Sequence, residues 1–85
     1  MKKIKYQVNN PQGIHARPAG LLVKELSQFN CNVIIKKGEK LVNAKEIFPL
    51  MSLSIKQGDK IVLILDGEEE MVAAKALEKY LKENI

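Results

Sequence analysis

Hydrophobic and polar positions alternate at the start of the chain. From Lys3 to Asn9, Ile4, Tyr6 and Val8 share one parity and Lys3, Lys5 and Gln7 the other. A period of two predicts a half-buried strand with one wet face. Asn9-Asn10-Pro11-Gln12-Gly13 is turn chemistry and ends it. From Arg17 to Phe29 the period changes. Ala19, Leu22, Val23, Leu26 and Phe29 recur at helical spacing, with Lys24, Glu25 and Gln28 on the other side. Pro18 suits a first helical turn, where its missing N–H is not needed. Gly20 lies inside this helix but off the stripe, at a cost of roughly 1 kcal/mol against Ala. It marks either tight packing or an outward small residue that lets another surface approach.

Cys31 to Lys36 carries the β-branched run Val33-Ile34-Ile35. Lys37-Gly38-Glu39 is a hairpin turn, and Lys40 to Asn43 a short return strand. Ile47, Phe48, Leu50, Met51 and Leu53 then form an apolar patch with Pro49 inside it. A short helix beginning near Glu46 would place Pro49 in its first turn, where proline is tolerated. So short an element cannot bury every apolar residue it carries. Phe48 and Met51 are either core or an exposed, adaptable contact surface. Gln57-Gly58-Asp59 turns the chain into Lys60–Leu65, nearly all apolar and therefore a central strand. Glu68 to Lys82 reads as a long helix with a buried stripe of Ala73, Ala74, Leu77, Tyr80 and Leu81. Its leading glutamates, Glu68, Glu69 and Glu70, suit the positive end of the helix dipole better than a metal site, because consecutive helical carboxylates do not converge.

The order is strand, helix, strand, strand, short helix, strand, long helix. It predicts one α+β domain over residues 1–85: a four-stranded antiparallel sheet with helices on one face. Aromatic residues make up only 5% of the chain, so its core must be aliphatic. A domain of this size has no room for an enclosed active-site cavity, and its chemistry belongs on the surface. Cys31 is the sole cysteine and reads as a small core residue in a reducing compartment. No leader or membrane-spanning run is visible, so a cytoplasmic protein is expected. The net charge of +4 points to an acidic partner or to nucleic acid. Two Phe, two Tyr and one Arg offer little for stacking or base recognition, which favours an acidic protein partner.

Composition gives way to chemistry at Gly13-Ile14-His15-Ala16-Arg17-Pro18. This stretch holds the only histidine and the only arginine, two positions apart at the start of a helix. Backbone N–H groups at a helix start, here those of Ala16 and Arg17, have no helical partner and bind anions well. An arginine fork grips phosphate oxygens through two bonds. Neutral imidazole is a nucleophile. Together these make a phosphoryl-accepting site with no catalytic accomplices. No Ser–His–Asp set, Cys–His cluster or carboxylate pair accompanies it. No metal or cofactor is expected of the chain itself.

The stretch Gly13–Ala19 resembles the active-site signature of HPr, the histidine phosphocarrier family of the bacterial phosphoenolpyruvate-dependent sugar phosphotransferase system. Val42-Asn43-Ala44-Lys45-Glu46-Ile47 with Met51-Ser52-Leu53 is similar to the family's second signature in part. The resemblance covers the whole chain. It implies an open-faced β-sandwich of order βαββαβα, with four antiparallel strands under three helices. It implies that His15 accepts a phosphoryl group on Nδ1 from enzyme I and passes it to an enzyme IIA, with Arg17 steadying the group. The chain would then be a stoichiometric carrier, expected as a monomer, and not an enzyme by itself. Gly20, Lys24, Ser27, Ile47, Phe48, Met51 and Ser52 match the family's partner-facing surface. Glu46 stands where many Gram-positive relatives carry a serine that a kinase phosphorylates, and Pro49 where glycine is common. Glu46 cannot be phosphorylated, and it carries about one negative charge against roughly 1.5 to 2 on a phosphoserine. The alternative reading is therefore a regulatory paralogue, outside serine-kinase control, that acts by binding transcriptional regulators or enzymes.

Overall fold

The central element is the apolar run near the end of the chain, as its sequence predicts. In the computed structural model, which describes residues 1–85, the elements are β1 (Lys2–Gln7), α1 (Ala16–Leu26), β2 (Asn32–Lys37), β3 (Lys40–Asn43), α2 (Ile47–Ser52), β4 (Lys60–Asp66) and α3 (Glu70–Asn84). The sheet order is β1-β4-β2-β3 and every pairing is antiparallel. β4 lies between β1 and β2, with Ile4 opposite Leu63 on one side and Ile35 opposite Leu63 on the other.

Alternation sets the two faces of the sheet. Ile4, Val33, Ile35, Ile61, Leu63 and Leu65 point to the helical side and are buried. The three helices cover that side with Ala19, Leu22, Leu26, Leu50, Ala73, Ala74, Leu77 and Leu81, all buried in one cluster. No buried side chain is polar or charged, so burial alone supplies the drive for this side of the sheet. Tyr6 reaches across to it and donates its hydroxyl to the Leu81 carbonyl at 2.9 Å. No helix is long and apolar enough to cross a membrane.

Both long helices differ in their bounds from the periodic reading, α1 also beginning one residue earlier, at Ala16, and α3 also running two residues further, to Asn84. α1 stops at Leu26 rather than Phe29. The Ser27 N–H bonds to Val23 O, and the Phe29 N–H then turns more tightly onto Leu26 O at 3.2 Å. Phe29 and Val23 pack on the core only partly buried. α3 starts at Glu70 rather than Glu68. The Glu69 N–H is held by Asn30 O at 3.1 Å, and the Glu69 carboxylate accepts the Asn30 N–H at 2.7 Å. Glu68 bonds to the Asn30 side chain at 3.2 Å. Two of the three glutamates thus fasten the segment after α1 to the start of α3. Only Glu70 lies in the first turn, where it accepts the Gly67 N–H at 3.2 Å. Tyr80, predicted in the buried stripe, is half-buried. Cys31 is in the core, and burial pushes its thiol pKa up.

Candidate functional site

The backbone of His15 is held mainly by main-chain hydrogen bonds. After β1, the Asn10 side chain accepts the Gln12 N–H at 2.9 Å, and Asn10 O accepts the Gly13 N–H at 2.9 Å. Gly13 has a φ of +64° and lies tight against Ile55 O and Lys56 Cα. The next residue, Ile14, is buried and donates its N–H to Ile55 O at 3.0 Å. His15 then occupies the N-cap of α1 with extended backbone (φ −110°, ψ −161°), and its carbonyl accepts the Ala19 N–H at 2.8 Å.

A buried residue immediately before it and a helix immediately after it leave the imidazole exposed. Ala16 and Arg17 are exposed too. Neither N–H is taken by another group of the protein, and no side chain caps the helix. The Arg17 guanidinium makes no ion pair. The residues of the sequence motif are therefore all open to solvent: an exposed ring, two free backbone donors and a free cationic fork.

The imidazole is oriented by a residue that the sequence reading placed only in the turn. His15 Nε2 lies 2.9 Å from Gln12 Oε1. An amide oxygen can only accept, so this contact is a hydrogen bond in the tautomer whose proton is on Nε2. In the neutral ring the lone pair then belongs to Nδ1. The signal for Gln12 was an amide three residues before a histidine, in a turn that curls back.

The segment that supports Ile14 has its own brace. Lys37 at the end of β2 donates to Leu53 O at 3.1 Å and Ser54 O at 2.8 Å, and it meets the Asp59 carboxylate at 3.0 Å. Asp59 also accepts the Lys56 N–H at 2.8 Å. That backbone hydrogen bond first, and the Lys37 ammonium second, hold its carboxyl below the usual carboxylate range. Ser54, with φ +50°, is the one non-glycine residue in left-handed backbone. Residues 53–59 are thereby pinned from both ends behind the histidine loop.

The residues matched to the partner surface fall on α1 and α2, which pack side by side. Gly20 is half-buried beside Ile47: a Cβ built on it would sit 3.5 Å from Ile47 Cδ1, in ordinary contact. Ile47 and Met51 are half-buried against the core, whereas Phe48 is 81% exposed. Of the two apolar residues read as either core or contact, Phe48 alone stands free. Lys24 is exposed in the last turn of α1. Ser27 and Ser52 spend their hydroxyl protons on Val23 O and Pro49 O, at 2.7 and 2.6 Å. Leu21, absent from the sequence-based set, is half-exposed beside Gly20. Lys45 ties the end of α1 to the approach to α2 by donating to Phe29 O at 2.7 Å. Glu46 is the exposed N-cap residue of α2, with no capping bond and no ion pair. Pro49 lies in the first turn of α2, as expected.

The family model for the phosphorylation site of the PTS HPr component matches residues 2–83. This chain belongs to the HPr family. The phosphocarrier protein HPr of Lysinibacillus sphaericus is 40% identical over 83 residues, 98% of this chain and 94% of the relative. HPr of Thermoanaerobacter tengcongensis, 38% identical, superposes with a TM-score of 0.93 over 98% of this chain and 93% of the other. Similarity extends beyond proteins named HPr. The HPr-like protein Crh of Bacillus subtilis is 40% identical over 85 residues, the full length of both. Its crystal structure is that of a dimer with a swapping domain; it superposes with a TM-score of 0.78 over 100% of this chain and 98% of the other. The open-faced sheet with three helices is the fold of the HPr structures. The family accommodates dimers, so the expected monomer does not follow from membership.

Proposed function

We propose that the chain is a phosphoryl carrier that accepts a phosphoryl group from phospho-enzyme I on His15 and delivers it to an enzyme IIA. One observation supports this most: in the tautomer that donates Nε2–H to Gln12, the free lone pair is on Nδ1, in a residue followed directly by the unoccupied N–H groups of Ala16 and Arg17. A P–N bond forms at Nδ1 as the bond between phosphorus and the donor breaks. The Nε2 proton stays in place through the step. Arg17 and the helix start neutralise the equatorial oxygens. Both catalytic help and any metal come from the partner. Phe48, Met51 and Ile47 on α2, with Gly20, Lys24 and Ser27 on α1, form the contact surface, and Ser52 offers only its lone pairs there.

The test is direct. Incubation with enzyme I, Mg²⁺ and labelled phosphoenolpyruvate should give one acid-labile phosphate, absent from His15→Ala and slow to form in Arg17→Ala. An unlabelled wild-type protein would reject the reading.

A second reading, a regulatory paralogue that acts by binding transcriptional regulators or enzymes in the cytoplasm, is favoured by Glu46. Its unpaired carboxylate stands at the start of α2 beside the exposed Phe48. Under that reading Glu46→Ala weakens regulator binding and leaves phosphoryl transfer unchanged. Equal regulator binding by both proteins would remove it.

A further inference from the structure

The sheet face turned away from the helices carries a charge pattern that the carrier site does not use. Alternation places Lys3, Lys5 and Gln7 of β1, Lys60, Val62, Ile64 and Asp66 of β4, Asn32, Ile34 and Lys36 of β2, and Leu41 and Asn43 of β3 on this open side. Val62, Ile64 and Ile34 form a half-buried strip that ends at Leu41, which is 58% exposed. Lys3, Lys5, Lys36 and Lys60 surround it, all exposed. Four lysines and one aspartate give this face +3 of the molecule's formal +4. None of the four lysines pairs with a carboxylate, while Asp66 has the Met1 ammonium 4.0 Å away.

Protection of strand edges explains only part of this. Lysines on edge strands block unwanted pairing, which accounts for Lys3 and Lys5 on β1. Lys36 and Lys60 belong to β2 and β4, the two interior strands. A shallow hollow of about 320 Å³ over the β1–β4 seam is lined by Lys5, Tyr6, Gln7, Lys60, Ile61 and Val62.

We infer that this open face is a docking surface for an anionic lipid bilayer. The choice of occupant follows from the kind of cation. Protein interfaces are enriched in Arg and aromatic residues and depleted in Lys. Nucleic-acid surfaces use arginine forks or stacking rings. The open face has neither: the sole arginine is at the start of α1, and the Tyr6 hydroxyl is turned to Leu81 O. Lysines are flexible point charges that match a diffuse negative surface, and their stems can lie along the apolar strip. Each lysine near an anionic leaflet raises partitioning about five-fold, so the contact is weak, reversible and salt-sensitive. Because the helical layer lies on the opposite side, a docked molecule keeps His15 clear of the lipid. A carrier so held would be concentrated at the bilayer without occupying its transfer surface.

The experiment is vesicle flotation with phosphatidylcholine vesicles, with and without phosphatidylglycerol, at low and high salt. The wild type should float only with the anionic vesicles, and only at low salt. Lys36→Gln/Lys60→Gln should lower partitioning by about 30-fold. A control pair on α3, Lys75→Gln/Lys79→Gln, changes the net charge equally and should retain most of it. Circular dichroism establishes that both pairs are folded. Absence of flotation at low salt, or equal loss in both pairs, overturns the proposal. So does capture on immobilised polyglutamate without flotation, which would assign the face to an acidic protein.

Discussion

The sharpest consequence of the site's construction concerns Gly13, and Gly38 provides its control. Both have positive φ, +64° and +61°. An alanine in left-handed backbone costs about 1–2 kcal/mol, offset by about 0.4–1 kcal/mol because the unfolded chain has less freedom to lose. At Gly38 nothing lies within 4 Å of an added Cβ, so Gly38→Ala should cost about 1 kcal/mol in all. At Gly13 the same Cβ would sit 2.8 Å from Lys56 Cα and nearer still to Ile55 O. Both are backbone atoms and cannot swing aside. Relief requires the Gly13–His15 segment to move away from residues 55–56, which breaks the Ile14 N–H to Ile55 O bond. Leaving that N–H without a partner beside a buried residue adds about 1–3 kcal/mol. Gly13→Ala should therefore cost about 3 kcal/mol or more, a large part of the roughly 4–13 kcal/mol expected for a domain of this length. Thermal melts followed by circular dichroism should fall by about 5 °C for Gly38→Ala and by about 15 °C or more for Gly13→Ala. Phosphoryl transfer at a temperature where both remain folded should drop only for Gly13→Ala. Equal melting shifts, or full transfer by Gly13→Ala, would refute the claim that this contact positions the histidine.

Three further outcomes are expected. Gln12→Leu should remove the preference for a proton on Nε2, read as a shift of the ¹⁵N imidazole resonances toward a tautomer mixture, with slower transfer and an unchanged melt; an unmoved tautomer ratio would show that Gln12 is incidental. Phe48→Ala, at an 81% exposed position, should leave stability within about 0.5 kcal/mol, as surface substitutions do, while weakening partner binding measured by calorimetry. For the pH dependence, Asp59 has a depressed carboxyl pKa, so its contribution is present above the unfolded-state value and lost as pH falls through the folded one. Acid titration of wild type against Asp59→Asn should show the two stabilities converging below the usual carboxylate range and diverging above it.

Much of the architecture was legible because one signal, burial on a single side, is written in local periodicity. The β4 run and the stripes of α1 and α3 are cases where the hydrophobic pattern alone decides the element. What periodicity left out depends on partners distant in sequence. Nothing local to Glu68 and Glu69 says that they serve Asn30, 38 and 39 residues earlier. Lys37 looks like one of many surface lysines until residues 53–59 fold beneath it. At the site, His15 and Arg17 were legible as the only residues of their kinds, and Pro18 marked the helix start. Gln12 was not, because an amide in a turn has many uses and only the turn's closure aims it at the ring. Phe48 and Met51 were equivalent in sequence, and only the packing of α2 on the core separates them.

The main-chain suspension of the histidine loop bears on how this protein can change over time. Gly13 N–H to Asn10 O, Ile14 N–H to Ile55 O and Ala19 N–H to His15 O are bonds that need no particular side chain and exclude only proline from the donor positions. Substitution at most positions around the loop therefore leaves its shape untouched, and only Gly13 is denied a side chain. A site built this way separates its geometry from its surroundings. The sequence is free to drift toward new partners, as the Phe48 and Glu46 positions invite, while the acceptor nitrogen keeps its place. A relative that shares only 38% of its residues with this chain, yet superposes with a TM-score of 0.93, shows how much drift such a scaffold tolerates.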